Sequence, residues 1–257
     1  LAPGVSGPLS ASGVVRQTSA GIMVQTTAQG PYSSRASVDG VVTGPDAAVD
    51  FNLSMPNIGS IVEKVNGPLD VTGSARKQGT AWRVTTDADG PAGTQARVSG
   101  LINTDGTLNL DINGNAPLGL SRPFLAPRNL QGQAQFDLAI NGPAALSSVT
   151  GTVQTSNATL SAPNLRVALE NIAATIRLAD SRANVDLQAE AVNGGQLRVG
   201  GDVTLTASFP ADLQIALNDM VLIDPRLYRS SVSGALRLSG PLLGGGGQIS
   251  GDVSVGE

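Results

Sequence analysis

The chain has 257 residues, of which 14% are charged and 40% apolar, with a formal net charge of −4. So large an apolar share excludes disorder driven by charge, and no stripe of Lys and Arg supplies the electrostatic footprint of a nucleic-acid binder. Histidine and cysteine are both absent, which removes the commonest general base and metal ligand, every disulfide, any thiolate nucleophile and any zinc–sulfur site. Aromatic residues make up only 3%, so burial must come from Val, Leu, Ile and Ala. Set among Thr, Ser, Asn and Gly, these residues suit a pleated surface better than a helix.

Leu1-Ala2-Pro3-Gly4 has neither the basic start nor the apolar run of a signal peptide. No stretch approaches the ~20 apolar residues of a membrane helix. The expectation is an all-β segment of a longer secreted or periplasmic protein, its targeting segment lying elsewhere. From the start, Gly-Pro pairs punctuate the chain, as at Gly7-Pro8, Gly30-Pro31, Gly44-Pro45, Gly67-Pro68 and Gly90-Pro91. Asn-Gly and Asp-Gly pairs, among them Asp39-Gly40, Asp105-Gly106, Asn113-Gly114 and Asn193-Gly194, read as further turns. Ile58, Ile61, Val62 and Val65 have helical spacing over barely two turns.

Period-two alternation then becomes explicit. Leu108, Leu110 and Ile112 alternate with Asn109 and Asp111. Ser121 to Leu130 interrupts the pattern with two prolines and predicts a short helix or ordered loop, a weak subdivision of one continuous segment over 1–257. Alternation resumes at Phe136, Leu138 and Ile140, again at Val185 and Leu187, and again at Leu213, Ile215 and Leu217. Met220 to Tyr228, containing Pro225, reads as irregular. Leu236 and Leu238 close the series before Gly244-Gly245-Gly246-Gly247. One apolar and one wet face per strand predicts an extensive antiparallel sheet.

No constellation of chemistry survives inspection. Asp87, Asp89, Asp105, Asp111 and Asn113 sit at turn edges, where solvated acids are ordinary, and they lack the repeated glycine core of a calcium-binding turn. The four glycines open a strand rather than a Gly-Lys-Ser/Thr helix, so they are not a phosphate loop. No Gly-x-Ser-x-Gly nucleophile elbow occurs. The reading is a protein without catalytic centre, metal or cofactor. The apolar face remains, and two arrangements cover it: a two-sheet sandwich with a closed core, or one curled sheet whose face lines a groove.

The passage Leu130-Gln131-Gly132-Gln133-Ala134-Gln135-Phe136-Asp137-Leu138-Ala139-Ile140-Asn141-Gly142-Pro143, leading to Gly151-Thr152-Val153, resembles the C-terminal region of the TamB family, of the AsmA-like bridge-type lipid-transfer proteins. Leu165 to Ile172, Val185-Asp186-Leu187, Gly194 to Gly201, Val221-Leu222-Ile223 and Val232 to Leu238 follow in similar order, so the likeness spans roughly residues 117–257. The resemblance implies a long β-taco or trough with an apolar groove, lined by Leu108, Leu110, Ile112, Phe136, Leu138, Ile140, Val185, Leu187, Leu213, Ile215, Leu217, Leu236 and Leu238. It implies a chain tethered to the inner membrane and crossing the periplasm. It also implies phospholipid acyl chains or other apolar chains as cargo, and a TamA-like outer-membrane β-barrel partner engaged through regions beyond this segment. The alternative is a structural passenger or adhesin-like parallel β-helix with a closed core.

Overall fold

A computed structural model describes residues 7–60, 64–224 and 228–256. The protein is all-β: the described residues form seventeen strands of antiparallel sheet. Along both meanders, among the described residues, successive strands pair antiparallel, which excludes the parallel β-helix. The chain separates into two compact units, one of residues 1–116 with 139–144 and the other of 117–138 with 145–257.

The first unit is a meander of β1 (Ser10–Thr18), β2 (Gly21–Gln29), β3 (Arg35–Val41), β4 (Ala48–Met55), β5 (Leu69–Gln78), β6 (Ala81–Gly90), β7 (Thr94–Ile102) and β8 (Leu108–Pro117). Each strand pairs with the next in sequence. Two of its connections share one design. Pro31–Ser33 and Pro91–Gly93 each form a single 3-10 turn after a Gly-Pro step, and the Ser34 and Thr94 hydroxyls donate to the Pro31 and Pro91 carbonyls at 2.9 Å. Ile58–Ser60 is likewise one 3-10 turn, and the rest of the helical spacing expected there runs into 61–63, outside the described residues.

Two pairs expected as turns are not turns. Asp39-Gly40 lies inside β3 opposite Asp50 and Val49, and Asn113-Gly114 lies inside β8 opposite Arg97 and Ala96. A glycine within a strand serves close backbone approach instead. At Gly100, with φ of +144°, an added Cβ would lie 2.1 Å from the Asn109 carbonyl oxygen of the next strand. Gly201 repeats this in the second unit, with φ of +141° and 2.2 Å to the Asp212 oxygen. Only glycine enters this extended region at positive φ without strain.

The second unit begins with a 3-10 turn at Leu118–Ser121 and the one-turn helix α1 (Arg122–Leu125), in accord with the short helix expected from the sequence. There follow β9 (Asn129–Gln131), β10 (Gln133–Gly142), whose last residues belong to the first unit, and β11 (Val149–Ala162). After these come β12 (Val167–Ala179), β13 (Arg182–Ala191), β14 (Gln196–Thr204), β15 (Pro210–Asp224), β16 (Tyr228–Pro241) and β17 (Gln248–Gly256). From β11 to β17 each strand pairs with the next.

Three β-bulges interrupt these ladders, between Thr155 and Ala158, between Glu170 and Ala173, and between Leu217 and Met220. Each contains an Asn or Asp with left-handed backbone: Asn157 at φ 56°, Asn171 at φ 50° and Asp219 at φ 47°. These residue types tolerate that conformation because their short side chains bond locally. The extra residue shifts the parity of the strand. In β15 the apolar positions run Leu213, Ile215, Leu217 and then Met220, so the same face stays apolar. Met220 to Asp224 is thus strand rather than irregular structure, while 225–227 lie outside the described residues.

Candidate functional site

Register aligns the apolar positions into rows that cross the strands. In the first unit one row reads Val15, Val24, Gly40, Val49, Ala75, Val84, Gly100, Leu110. A parallel row four residues along reads Ala11, Ala28, Ala36, Leu53, Val71, Ala88, Ala96, Gly114, and the row between these two carries Thr26 and Thr86 among Val38, Phe51, Val98 and Ile112. The first and third of these rows contain no polar side chain. Strands lie ~4.8 Å apart, so eight of them carry such a row about 34 Å.

The second unit repeats the pattern. One row runs Val153, Ile176, Val185, Gly201, Leu213, Leu238, Ile249. Its neighbour runs Ala174, Leu187, Val199, Ile215, Leu236, Gly251, and a third brings together Ala189, Leu197, Leu217, Gly234 and Val253. The sequence-predicted residues Val185, Leu213 and Leu238 therefore share one row, and Leu187, Ile215 and Leu236 the next. Leu217 stands in the third. Leu108, Leu110 and Ile112 share the apolar face of β8, opposite Ile102, Gly100 and Val98. Phe136 and Leu138 alternate on β10 in the second unit, and Ile140, two positions on, belongs to the first.

All thirteen of these side chains are half-buried. The fully buried apolar groups are different ones, mostly alanines, and in the second unit they form two clusters. One joins Ala158, Leu169, Ile172, Ala189, Ala191 and Met220, with Leu118, Leu130 and Leu160 packed against it. The other joins Ala183, Val203 and Ala211 and is covered by Leu205 and Phe209. Leu187, Leu197 and Leu217 pack against the first cluster and Ile176, Val185 and Leu213 against the second, so the rows border the buried groups while part of their own surface stays accessible.

Sequence reasoning missed Val24, Val49, Leu53, Val71, Val84, Val153, Ile176 and Val199, which occupy the same rows. Their signal was the same alternation, but glycines such as Gly40, Gly73 and Gly100 take apolar-phase positions and blur the period.

The opposite face is polar and lightly paired. Arg97 Nε donates to Asp87 at 2.7 Å, and Arg237 binds both carboxylate oxygens of Asp212. Asp105 accepts from the Thr107 backbone N–H at 2.9 Å and from its hydroxyl at 2.7 Å, and these bonds hold its carboxyl below the usual range. It caps its own turn, as expected of a turn acid. A hollow of about 270 Å³ is lined by the amides of Gln133, Gln154 and Gln188, the hydroxyls of Thr155, Ser156 and Thr175, and the Asp186 carboxylate. Among the described residues no group of three His, Cys, Asp or Glu side chains converges as metal ligands.

What decides the relationship of this surface is the last five strands. Residues 181–257 match the TamB C-terminal domain. The match covers less than half of the chain and contains β13 to β17, with every sequence-predicted position from Val185 to Leu238. The resemblance read from the residues therefore holds over this span, and TamB itself is a component of the translocation and assembly module. TamB proteins are anchored in the inner membrane and cross the periplasm. Among the described residues of this chain no helix is long and apolar enough to cross a membrane. No curated protein and no solved structure matches the chain.

Proposed function

We infer that the apolar rows line a groove that carries phospholipid acyl chains, or other apolar chains, between the inner and outer membranes. The observation that carries this reading is the half-burial of Val185, Leu187, Leu213, Ile215, Leu236 and Leu238 in uninterrupted apolar rows. Leaving so much contiguous apolar surface accessible is unfavourable to a protein that works alone in water, and such surfaces mark binding sites. Aliphatic side chains and glycines make the lining smooth. An acyl chain on it gains ~0.8 kcal/mol per methylene removed from water, and it slides without breaking a directional bond. Nothing in this action needs an acid, a base or a metal.

The TamB match supports a second role for the same surface, in outer-membrane protein assembly beside a TamA-like barrel partner. Apolar faces of unfolded strands resemble acyl chains in what they need covered.

The test is mass spectrometry of lipids that co-purify with the chain, joined to photo-crosslinking from Leu187 and Ile215. Phospholipid crosslinked from these positions, and not from Gln188 or Gln214 on the other face, is the expected result. Crosslinking from both faces alike, or from neither, would overturn the groove.

A further inference from the structure

The protein is acidic overall, yet one end of the first unit collects cations. Arg76 on β5 stands directly opposite Arg83 on β6, and Lys77 stands opposite Trp82. Side chains in such positions have Cβ atoms ~5 Å apart, and like charges placed there repel. Beyond them in register lie Ala48 on one side and Leu101 on the other, so no carboxylate separates the two guanidinium groups. On the same row of the outer strands, Arg16 of β1 is followed by Met23 and Val41. Among the described residues no acid forms an ion pair with Arg16, Arg76, Lys77 or Arg83. Arg83 has only Gln78, whose side-chain oxygen accepts from Nε at 3.1 Å. The two carboxylates in the turns at this end are Asp46 and Asp105, and Asp105 is occupied by Thr107.

The apolar partners of these cations complete the patch. Trp82 is the single tryptophan of the chain and pairs with Ile102, while Met23 and Ile102 are 36% and 37% exposed. Lys77 faces this indole across the hairpin and Arg76 and Arg83 project from the other face of the same hairpin end, so an end-on approach presents ring and cations together, a composition that settles at a lipid–water interface with the ring among the headgroups and the charges on the phosphates. Free in solution, the Arg76–Arg83 repulsion stays uncompensated, and a layer of phosphates relieves it.

We propose that this hairpin end, Arg76 to Arg83, docks on the surface of an anionic phospholipid bilayer. The contact differs from the acyl-chain groove and does not depend on it: it concerns headgroups, uses the strand ends of the first unit and needs no lipid to leave its membrane.

Trp82 reports directly, since no other tryptophan contributes to the emission. The experiment mixes the whole chain with vesicles of phosphatidylcholine, with and without phosphatidylglycerol, and follows sedimentation and tryptophan fluorescence. Expected are binding to the anionic vesicles alone, weakening with salt, and a blue shift of Trp82. Each cation near such a surface contributes about fivefold in affinity. The triple change Arg76→Gln, Lys77→Gln, Arg83→Gln therefore weakens binding on the order of a hundredfold, whereas Arg97→Gln, remote from the hairpin and ion-paired to Asp87, leaves it unchanged. Equal binding to neutral vesicles, an unshifted Trp82 in the bound state, or full retention in the triple variant would each overturn the proposal. So would displacement by inorganic phosphate at constant ionic strength, which would make this a small-anion site.

Discussion

Arg237 of β16 reaches diagonally across to β15 and grips both oxygens of Asp212, at 2.6 Å from Nε and 2.5 Å from Nη2. Asp212 in turn stands directly opposite Asp202 of β14. The hydrogen bonds from Arg237 are the main cause that holds the Asp212 carboxyl below its ordinary value; desolvation opposes them, and the charge of Arg237 adds a lesser lowering. A depressed carboxylate contributes stability above its unfolded pKa and loses it as pH falls through the folded value. The window is therefore acidic, below the usual carboxylate range. Arg237→Gln should return the Asp212 titration toward the ordinary value and flatten this acid limb of stability. Carboxyl-carbon NMR titration checks it, and an Asp212 curve unmoved by the change would refute the coupling.

Asp39 and Asp50 also face each other directly, on β3 and β4, with no arginine to mediate. Reversing one charge should convert repulsion into attraction. Asp39→Lys is expected to raise the melting temperature, by a stability of about 0.2–1 kcal/mol, and the gain should shrink with salt because the site is exposed. A lowered melting temperature at low salt counts against the reading.

Gly201→Ala places a methyl group 2.2 Å from the Asp212 carbonyl oxygen at φ of +141°. The strand pair must open to admit it, and a strained backbone conformation of this kind costs on the order of 1–3 kcal/mol. Gly119→Ala, with open space around its Cβ, should be close to neutral. Thermal unfolding of the two variants side by side decides the matter, and equal melting temperatures would show that the close approach is not required.

Leu187→Arg and Ile215→Asp probe the rows themselves. Both positions are half-buried, so the new charge reaches water and stability should fall by only about 1–2 kcal/mol. Met220→Asp, at a position 6% exposed, should unfold the second unit instead. Acyl-chain passage should suffer in the reverse order. Uncovering four methylenes beside the new charge adds ~3 kcal/mol, more than a hundredfold in rate. Unfolding by Leu187→Arg, seen by circular dichroism, would mean that the rows are a closed core.

Much of this was legible in the residues because a strand's side chains alternate strictly. Leu213, Ile215 and Leu217 announce a one-faced strand without any knowledge of their neighbours. The all-β class and the likeness of the last strands to TamB follow from the chain itself. The bulges did not follow. Asp219 inserts one residue and reverses the parity at Met220, so a continuing strand read as irregular. Nor did the strand glycines, since Asp39-Gly40 and Asn113-Gly114 have the composition of turns and only the opposing backbone shows why glycine is there.

What the tertiary structure alone decided is register. A cross-strand row such as Val153, Ile176, Val185, Gly201, Leu213, Leu238 and Ile249 draws on seven strands distant in sequence. Shifting any one of them by a single residue would turn its apolar set to the other face. The same register sets Arg76 against Arg83 and leaves Trp82 between Lys77 and Ile102. Alternation is a property of one strand and can be read from it. Alignment between strands depends on turn length, bulges and packing together, so it exists only once the chain has folded.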